Sequence, residues 1–195
     1  MKKLSISKVA VFFMLLLSIE VCSQDYTLNK SSSTITVSGT SSLHDWDVIS
    51  NDFTGHMKLQ DVLNGKLESL YVNVNSETLK SGKKAMDKKT YKALRTDEFP
   101  NVTFSLNSVK SQKRIDNLIF EFKLTGDMSI CGVTNSVPLD FLLTLNGDRI
   151  NITGSCIIKM TDFKIEPPTA LLGTIKTGDQ ITIKFNSNFI KKRSN

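Results

Sequence analysis

From residue 34 onward, apolar and polar positions alternate with a period of two, which is the pattern of half-buried antiparallel strands. The clearest run lies within residues 117–125, where four apolar side chains share one face: Leu118, Phe120, Phe122 and Leu124. The same alternation marks seven further segments: 33–38, 46–59, 67–76, 102–106, 137–145, 150–160 and 181–189. The pattern therefore predicts about eight strands.

The lengths of the connections indicate how these strands are arranged. After the second, fourth and sixth predicted strands the links look like short turns, at Asn64-Gly65, residues 111–116 and Asn146-Gly147. After the third and seventh strands they are long, over residues 77–100 and 161–179. This asymmetry favours an all-β fold: a single eight-stranded antiparallel up-and-down, lipocalin-like barrel, with both long segments over one rim.

The first long connection has helix-favouring composition between Lys83 and Arg95. Apolar residues lie roughly along one side, and basic residues occupy much of the rest. We predict a short helix in the loop between strands 3 and 4. Its lysine face is either a solvated surface or a contact for acidic lipid headgroups.

The N-terminus has the pattern of a secretory signal. Lys2 and Lys3 precede the apolar segment 9–17, which is too short to span a membrane, and small or polar residues follow. We predict cleavage after Ser23, so that residues 1–23 are a signal peptide and residues 24–195 form one domain. The expected location is the periplasm or the exterior. The alternative, a lipid-modified Cys22, is disfavoured by the carboxylate of Glu20.

Charge and cysteine content narrow the function classes. A formal net charge of +6 is mildly basic, and no aromatic-interleaved basic stripe accompanies it, so we do not expect nucleic acid as a partner. Cys131 and Cys156 remain after the predicted cleavage, and their separation does not form a C-x-x-C motif. A single disulfide and two buried thiols both remain open.

The sequence offers little for catalysis. His44 and Asp45 stand side by side in the string Gly39–Trp46, but no H-E-x-x-H motif or cysteine pair completes a zinc site. There is also no G-x-S-x-G elbow and no glycine-rich phosphate loop. We therefore expect no enzymatic activity, no cofactor and no metal. A hydrolase or metal-dependent enzyme using His44 and Asp45 is the weakest alternative.

The candidate ligand contacts are the large apolar side chains of the inward face and of the two long connections. In the strands they are Trp46, Phe104, Phe120, Phe122, Phe141 and Phe185. In the connections they are Met86, Tyr91, Phe99, Phe163, Leu171 and Leu172. The same rings are equally suited to fill a barrel. Two long apolar lids favour a cavity, since a filled barrel has no need of them.

Several strings resemble the YceI-like family of periplasmic, lipocalin-shaped proteins. They are Gly39–Trp46, Asp97–Phe104, Leu124–Thr134, Asp162–Pro168 and Gly173–Asp179. The resemblance covers essentially the whole mature chain. It implies an extended antiparallel barrel with a hydrophobic tunnel for polyisoprenoid or fatty-acid-like chains, and it carries over Phe99, Phe104 and Phe163 as tunnel or mouth residues.

These observations predict an exported lipid-binding or carrier protein that sequesters one long apolar chain, of polyisoprenoid or fatty-acyl type, in the barrel. The main alternative is a non-enzymatic interaction or stress-response protein with a side-chain-filled barrel. Two further candidate partners are a membrane surface, which the protein would contact transiently, and a second copy of the chain, which would form a homodimer.

Overall fold

The computed structural model describes residues 23–170 and 172–193. Residues 1–22 of the predicted signal segment, and Leu171, lie outside the described residues. The strands are β1 (Gln24–Leu28), β2 (Thr34–Ser41), β3 (Trp46–Ser50), β4 (Phe53–Asp61), β5 (Lys66–Asn75), β6 (Asn101–Asp116), β7 (Ile119–Ile130), β8 (Val133–Asn146), β9 (Arg149–Lys159), β10 (Thr169–Ala170) and β11 (Ile175–Lys191). One α-helix is described, α1 (Lys84–Leu94).

The strands close into an eight-stranded antiparallel barrel, as the alternation predicted. The barrel has eight strands because two of them are each divided into two segments. β1 and β2 both pair with β11 and are separated by a 3₁₀ turn at Lys30–Ser32. β3 and β4 pair with β2 and β1 respectively, so they form the second barrel strand. The remaining six barrel strands are β5, β6, β7, β8, β9 and β11, while β10 is a two-residue strand beside β11.

Period-two alternation places the apolar residues inside. In β7 every second residue from Phe120 to Ile130 is buried, and the residues between them are partly or fully exposed. β8 and β9 repeat the pattern over Val137–Leu145 and Ile150–Ile158. Burial of these side chains stabilises the barrel by roughly 1.5–3 kcal/mol each relative to exposure.

Short turns close one end of the barrel, but the turn after the fourth barrel strand lies later than predicted. Residues 111–116 form no turn, because β6 continues through them and stays paired with β7 to Asp116. The turn is at residues 117–118, and Leu118 is 56 % exposed instead of pointing inward. Three register shifts in the β6–β7 ladder make room for the extra length.

Side chains bridge a split in the barrel wall near this closed end. β5 and β6 pair only over residues 71–75 and 101–105, so their remaining lengths diverge. Gln112 Nε2 donates to the carbonyl of Asn64 at 2.6 Å, and Arg114 Nη2 donates to the carbonyl of Leu63 at 2.5 Å. These hydrogen bonds fasten the tip of the β6–β7 hairpin to the β4–β5 turn.

The opposite end carries the long connections, as predicted. The segment between β5 and β6 contains helix α1, and the segment between β9 and β11 contains a 3₁₀ turn at Met160–Phe163 and strand β10. Within residues 23–170 and 172–193, the helical segments are too short or too polar to cross a bilayer.

Candidate functional site

The candidate site is a cavity of about 460 Å³ inside the barrel at the end that carries the long connections. This volume lies within the range of about 300–1,000 Å³ that is typical of small-ligand sites. Its mouth lies between three segments: the β2–β3 turn with Leu43 and His44, helix α1, and the segment between β9 and β11. The cavity wall is mainly apolar, which suits it to a hydrocarbon ligand.

Inward-facing positions of the strands supply the wall. The residues come from all eight barrel strands and are aliphatic or sulfur-containing: Ile35, Val37, Val48, Leu70, Val72, Val74, Val102, Met128, Ile130, Leu139, Ile152, Cys156, Ile158, Ile181 and Ile183. Sequence reasoning concentrated on the aromatic side chains and did not single these out. The signal was available for most of them, because all but Met128 and Ile130 lie in the predicted strands; those two belong to the part of β7 that extends beyond the predicted segment 117–125.

Helix α1 forms the first part of the lid over the mouth. Its inner side places Met86, Ala93 and Leu94 against the cavity. The start of the helix is stabilised by Asp87, whose Oδ1 accepts hydrogen bonds from the backbone N and the Oγ of Ser81 at 2.7 and 2.6 Å. These bonds hold the pKa of the Asp87 carboxyl below its usual value.

The end of helix α1 is fixed to the barrel by Arg95. Arg95 adopts a left-handed backbone conformation (φ 49°), which ends the helix. Its Nη2 donates to the carbonyl of Cys131 at 2.8 Å, and its guanidinium lies 4.6 Å from the ring centre of Phe99. The Phe99 ring in turn covers Gly132, where a Cβ would lie 2.9 Å from Phe99 Cζ. The lid helix is thereby joined to the β7–β8 turn.

The segment between β9 and β11 forms the second part of the lid. Phe163 and Ile165 are buried and line the cavity. Lys89 of helix α1 donates through Nζ to the carbonyl of Thr169 at 3.0 Å, so the two long connections meet over the same rim, as predicted. The segment is also tied to β11, since Asp179 accepts from Thr161 N and Oγ1 at 2.9 and 2.7 Å.

The histidine-containing string lies at the rim. Trp46 Nε1 donates to the carbonyl of Thr40 at 3.0 Å, and its indole lies over Gly39, where a Cβ would come within 2.6 Å of Trp46 Cε2. His44 Nδ1 contacts the backbone oxygen of Asp45 at 2.8 Å rather than its carboxylate. In the part of the chain that the structure describes, no three His, Cys, Asp or Glu side chains gather as metal ligands.

The predicted contact residues separate into three groups. Five line the cavity: Trp46, Met86, Phe104, Phe163 and Phe185. Three are buried in the closed half, outside the cavity wall: Phe120, Phe122 and Phe141. Three belong to the lid segments without lining the cavity: Tyr91, Phe99 and Leu172. Leu171 lies outside the described residues.

Local contacts and backbone conformation explain why Tyr91, Phe99 and Leu172 do not line the cavity. Tyr91 turns its hydroxyl to the carbonyls of Glu77 and Leu79, at 2.9 and 3.2 Å, and so braces the helix from outside. Phe99 lies between Arg95 and Gly132. Leu172 has a positive φ of 56° in a turn and projects fully into solvent.

Cys131 and Cys156 are both free and buried, so the disulfide alternative is wrong. Cys156 lines the cavity, and burial raises the pKa of its thiol to about 11. We therefore expect native Cys156 to react with iodoacetamide at pH 8 at least tenfold more slowly than the thiol of an unfolded chain, whose pKa is about 8.5.

The check is time-resolved alkylation followed by peptide mass spectrometry, with urea-unfolded protein as the control. Alkylation of native Cys156 as fast as in urea would contradict its buried placement. The same shift predicts a contribution to stability that is complete only below the unfolded pKa of about 8.5 and is lost as the pH rises through 11.

The chain is similar to known proteins both in sequence family and in fold. A family model described as the YceI-like domain matches residues 26–189. BcnA of Burkholderia cenocepacia superposes with a TM-score of 0.68 at 16 % identity, over 83 % of this chain and 98 % of that one. A polyisoprenoid binding domain from Saccharophagus degradans, implicated in plant cell wall breakdown, gives 0.65 at 11 % identity, over 86 % and 98 %.

A YceI protein of Campylobacter jejuni gives a TM-score of 0.58 at 19 % identity, over 73 % of this chain and 82 % of that one. No curated protein sequence matches significantly. At these identities the structural likeness establishes the fold, and the family model establishes membership.

Proposed function

The chain belongs to the YceI-like domain family, and from that premise we propose that it is a lipid-binding protein which holds one long apolar chain inside its barrel. The observation that carries this proposal is the apolar cavity beneath a two-part lid. Burial of hydrocarbon contributes about 0.8 kcal/mol per methylene, so ten carbons would supply roughly 8 kcal/mol before ordering costs. A barrel that contains this cavity supports a ligand-binding function better than it supports the alternative of a barrel filled by its own side chains.

The proposed ligand has an apolar chain of polyisoprenoid or fatty-acyl type and a polar end at the rim. The polyisoprenoid binding domain of Saccharophagus degradans supports this class by its shared fold. The polar end would lie beside His44, Lys83 and Lys89, which line the mouth and are exposed. Non-polar groups occupy the deeper wall, so a charged end is disfavoured there.

The test is native mass spectrometry of the protein purified from its own cell envelope, followed by solvent extraction and lipid identification. We expect a stoichiometric adduct whose extracted mass is that of a single long-chain lipid. A clean apo mass that persists after incubation with palmitic acid and geranylgeraniol would reject lipid binding and favour a protein partner at the rim.

We also propose that the protein is exported and acts in the periplasm or outside the cell. The support is the N-terminal sequence pattern, with a basic start and the apolar segment 9–17. Cell fractionation combined with N-terminal sequencing tests this. A mature N-terminus at Gln24 in the envelope fraction is the expected result, and an intact Met1 in the cytoplasm would contradict it.

Transient membrane contact through the lid is part of the same proposal. Lys84, Lys88 and Lys92 are exposed and recur every four residues, so they share one face of helix α1. The opposite side of the helix lines the cavity mouth. A cationic face beside the mouth would hold the opening close to acidic headgroups, at about 1 kcal/mol per lysine near the surface.

Reversing two of these charges, Lys88→Glu with Lys92→Glu, should weaken binding to phosphatidylglycerol vesicles by roughly 30-fold or more, in proportion to that energy per lysine. Vesicle co-sedimentation at low and high salt measures the effect. The matched control is Lys110→Glu with Lys113→Glu, two exposed positions in the distal half of β6, beyond its pairing with β5. Equal losses in both variants would show that net charge, rather than the lid, governs the contact.

A further inference from the structure

The cavity does not extend through the whole length of the barrel. On β11 its wall runs from Thr177 at the mouth to Ser187, which is 2 % exposed. Beyond that level the inward side chains of β7, β8 and β9 are buried and do not line the cavity; they include Phe120, Leu143 and Ile150. A chain that enters at the mouth therefore meets packed side chains at the inner end.

Two stacked aromatic rings, Phe122 and Phe141, lie behind the cavity wall at that inner end, and we call this pair the floor. Their ring centres are 5.2 Å apart, and the angle between the ring planes is 22°. The ring of Phe185, which does line the cavity, lies edge-on to Phe141 at 6.4 Å. Both floor residues are at most 3 % exposed.

A glycine allows these rings to lie across the barrel. Gly154 of β9 is opposite both Phe141 and Phe185 in the ladder. A Cβ at this position would lie 2.6 Å from Phe141 Cβ and 2.8 Å from Phe185 Cζ. Only a residue without a side chain leaves space for both phenylalanines, so the floor is built into the strand pairing.

The accessible depth limits the length of the ligand. Thr177 and Ser187 are ten residues apart on β11, but a bulge between Thr177 and Ile181 shortens the span by two residues. At about 3.3 Å per residue and a strand tilt of about 40°, the depth is roughly 20 Å. An extended chain with bonds of about 1.5 Å advances roughly 1.25 Å per carbon, so about 16 carbons fit in one pass. The volume of 460 Å³ holds about 15 methylenes if each takes the ~30 Å³ of a water molecule.

Resting on the proposed lipid-binding function, we infer that the floor of Phe122 and Phe141 sets an upper limit of chain length, selecting ligands with one chain of about 15–16 carbons. The selected class comprises long-chain fatty acids and short isoprenoids. A much longer polyisoprenoid leaves part of its chain outside the lid, where burial no longer favours it.

The test is a chain-length series on delipidated protein, with saturated fatty acids from lauric to lignoceric acid and the isoprenoid alcohols farnesol, geranylgeraniol and solanesol. We expect affinity to rise up to palmitic acid and to stop rising by lignoceric acid, and we expect solanesol to bind no more tightly than geranylgeraniol. Affinity that continues to rise through lignoceric acid and solanesol would overturn the length limit while supporting lipid binding. Absence of binding by every probe would overturn the proposed function itself.

A variant then locates the limit at the floor. Phe141→Ala should shift the optimum to longer acids by several carbons, and Phe141→Leu should do so to a smaller extent if the alanine variant is too unstable to purify. The control is Leu145→Ala, a buried residue of the same strand four positions nearer the closed end. An unchanged optimum in both folded Phe141 variants, or an equal shift in the control, would overturn the assignment to the floor.

Discussion

Replacing Ile183 with arginine is expected to lower the affinity for palmitic acid by at least roughly 100-fold, which corresponds to about 3 kcal/mol. Ile183 lies midway along the cavity wall on β11 and is only partly buried. Its guanidinium would be solvated in the empty cavity, so the barrel would still fold. A bound hydrocarbon chain would have to strip that charge of water, and an unpaired buried charge costs several kcal/mol.

The matched control is Thr182→Arg, which adds the same charge one residue earlier. Thr182 is opposite Ile157, whose side chain is 59 % exposed, so this face of β11 points away from the cavity. Isothermal titration with palmitic acid, together with circular dichroism of both variants, measures the difference. If the two arginine variants bound the acid equally, the ligand would not occupy the barrel interior.

Phe120→Ala should have the largest effect on stability, lowering the free energy of unfolding by about 3–5 kcal/mol. The ring is 1 % exposed and is enclosed on two sides. The guanidinium of Arg114 lies 4.8 Å from its ring centre, and Gly65, at φ 62°, leaves room for it in the β4–β5 turn. Its loss would leave a void at the closed end and release Arg114 from the surface it covers.

Urea unfolding monitored by circular dichroism measures this effect. The control is Leu118→Ala in the adjacent turn, where 56 % exposure predicts a change within about 0.5 kcal/mol. At temperatures where Phe120→Ala is still folded, its affinity for palmitic acid should match that of the unchanged protein. Loss of affinity in the folded variant would place Phe120 in the ligand site and contradict the division of the barrel into two halves.

These two substitutions test the division directly, because the residues lie on inward faces of the same barrel. Ile183 belongs to the half with the lid, and Phe120 belongs to the half sealed by Arg114 and Gln112. The first should change ligand affinity with little loss of stability. The second should change stability with little loss of affinity.

The sequence alone determined the architecture. Alternation with a period of two assigns each residue to the inside or the outside of a strand, because successive side chains point to opposite faces. Connection length separated the two ends of the barrel, since a hairpin needs only a few residues. Residues 83–95 could likewise be assigned to a helix, because the lid segment changes from strand to helix composition.

Only the tertiary structure decided which inward residues meet a cavity. Phe120, Phe141 and Phe185 carry the same sequence signal, yet only Phe185 lines the cavity. Alternation specifies the face of a strand but not its height along the barrel axis, which depends on the register with neighbouring strands. Gly154 is an example of this dependence on register. Its lack of a side chain matters only because the strand pairing places it opposite both Phe141 and Phe185.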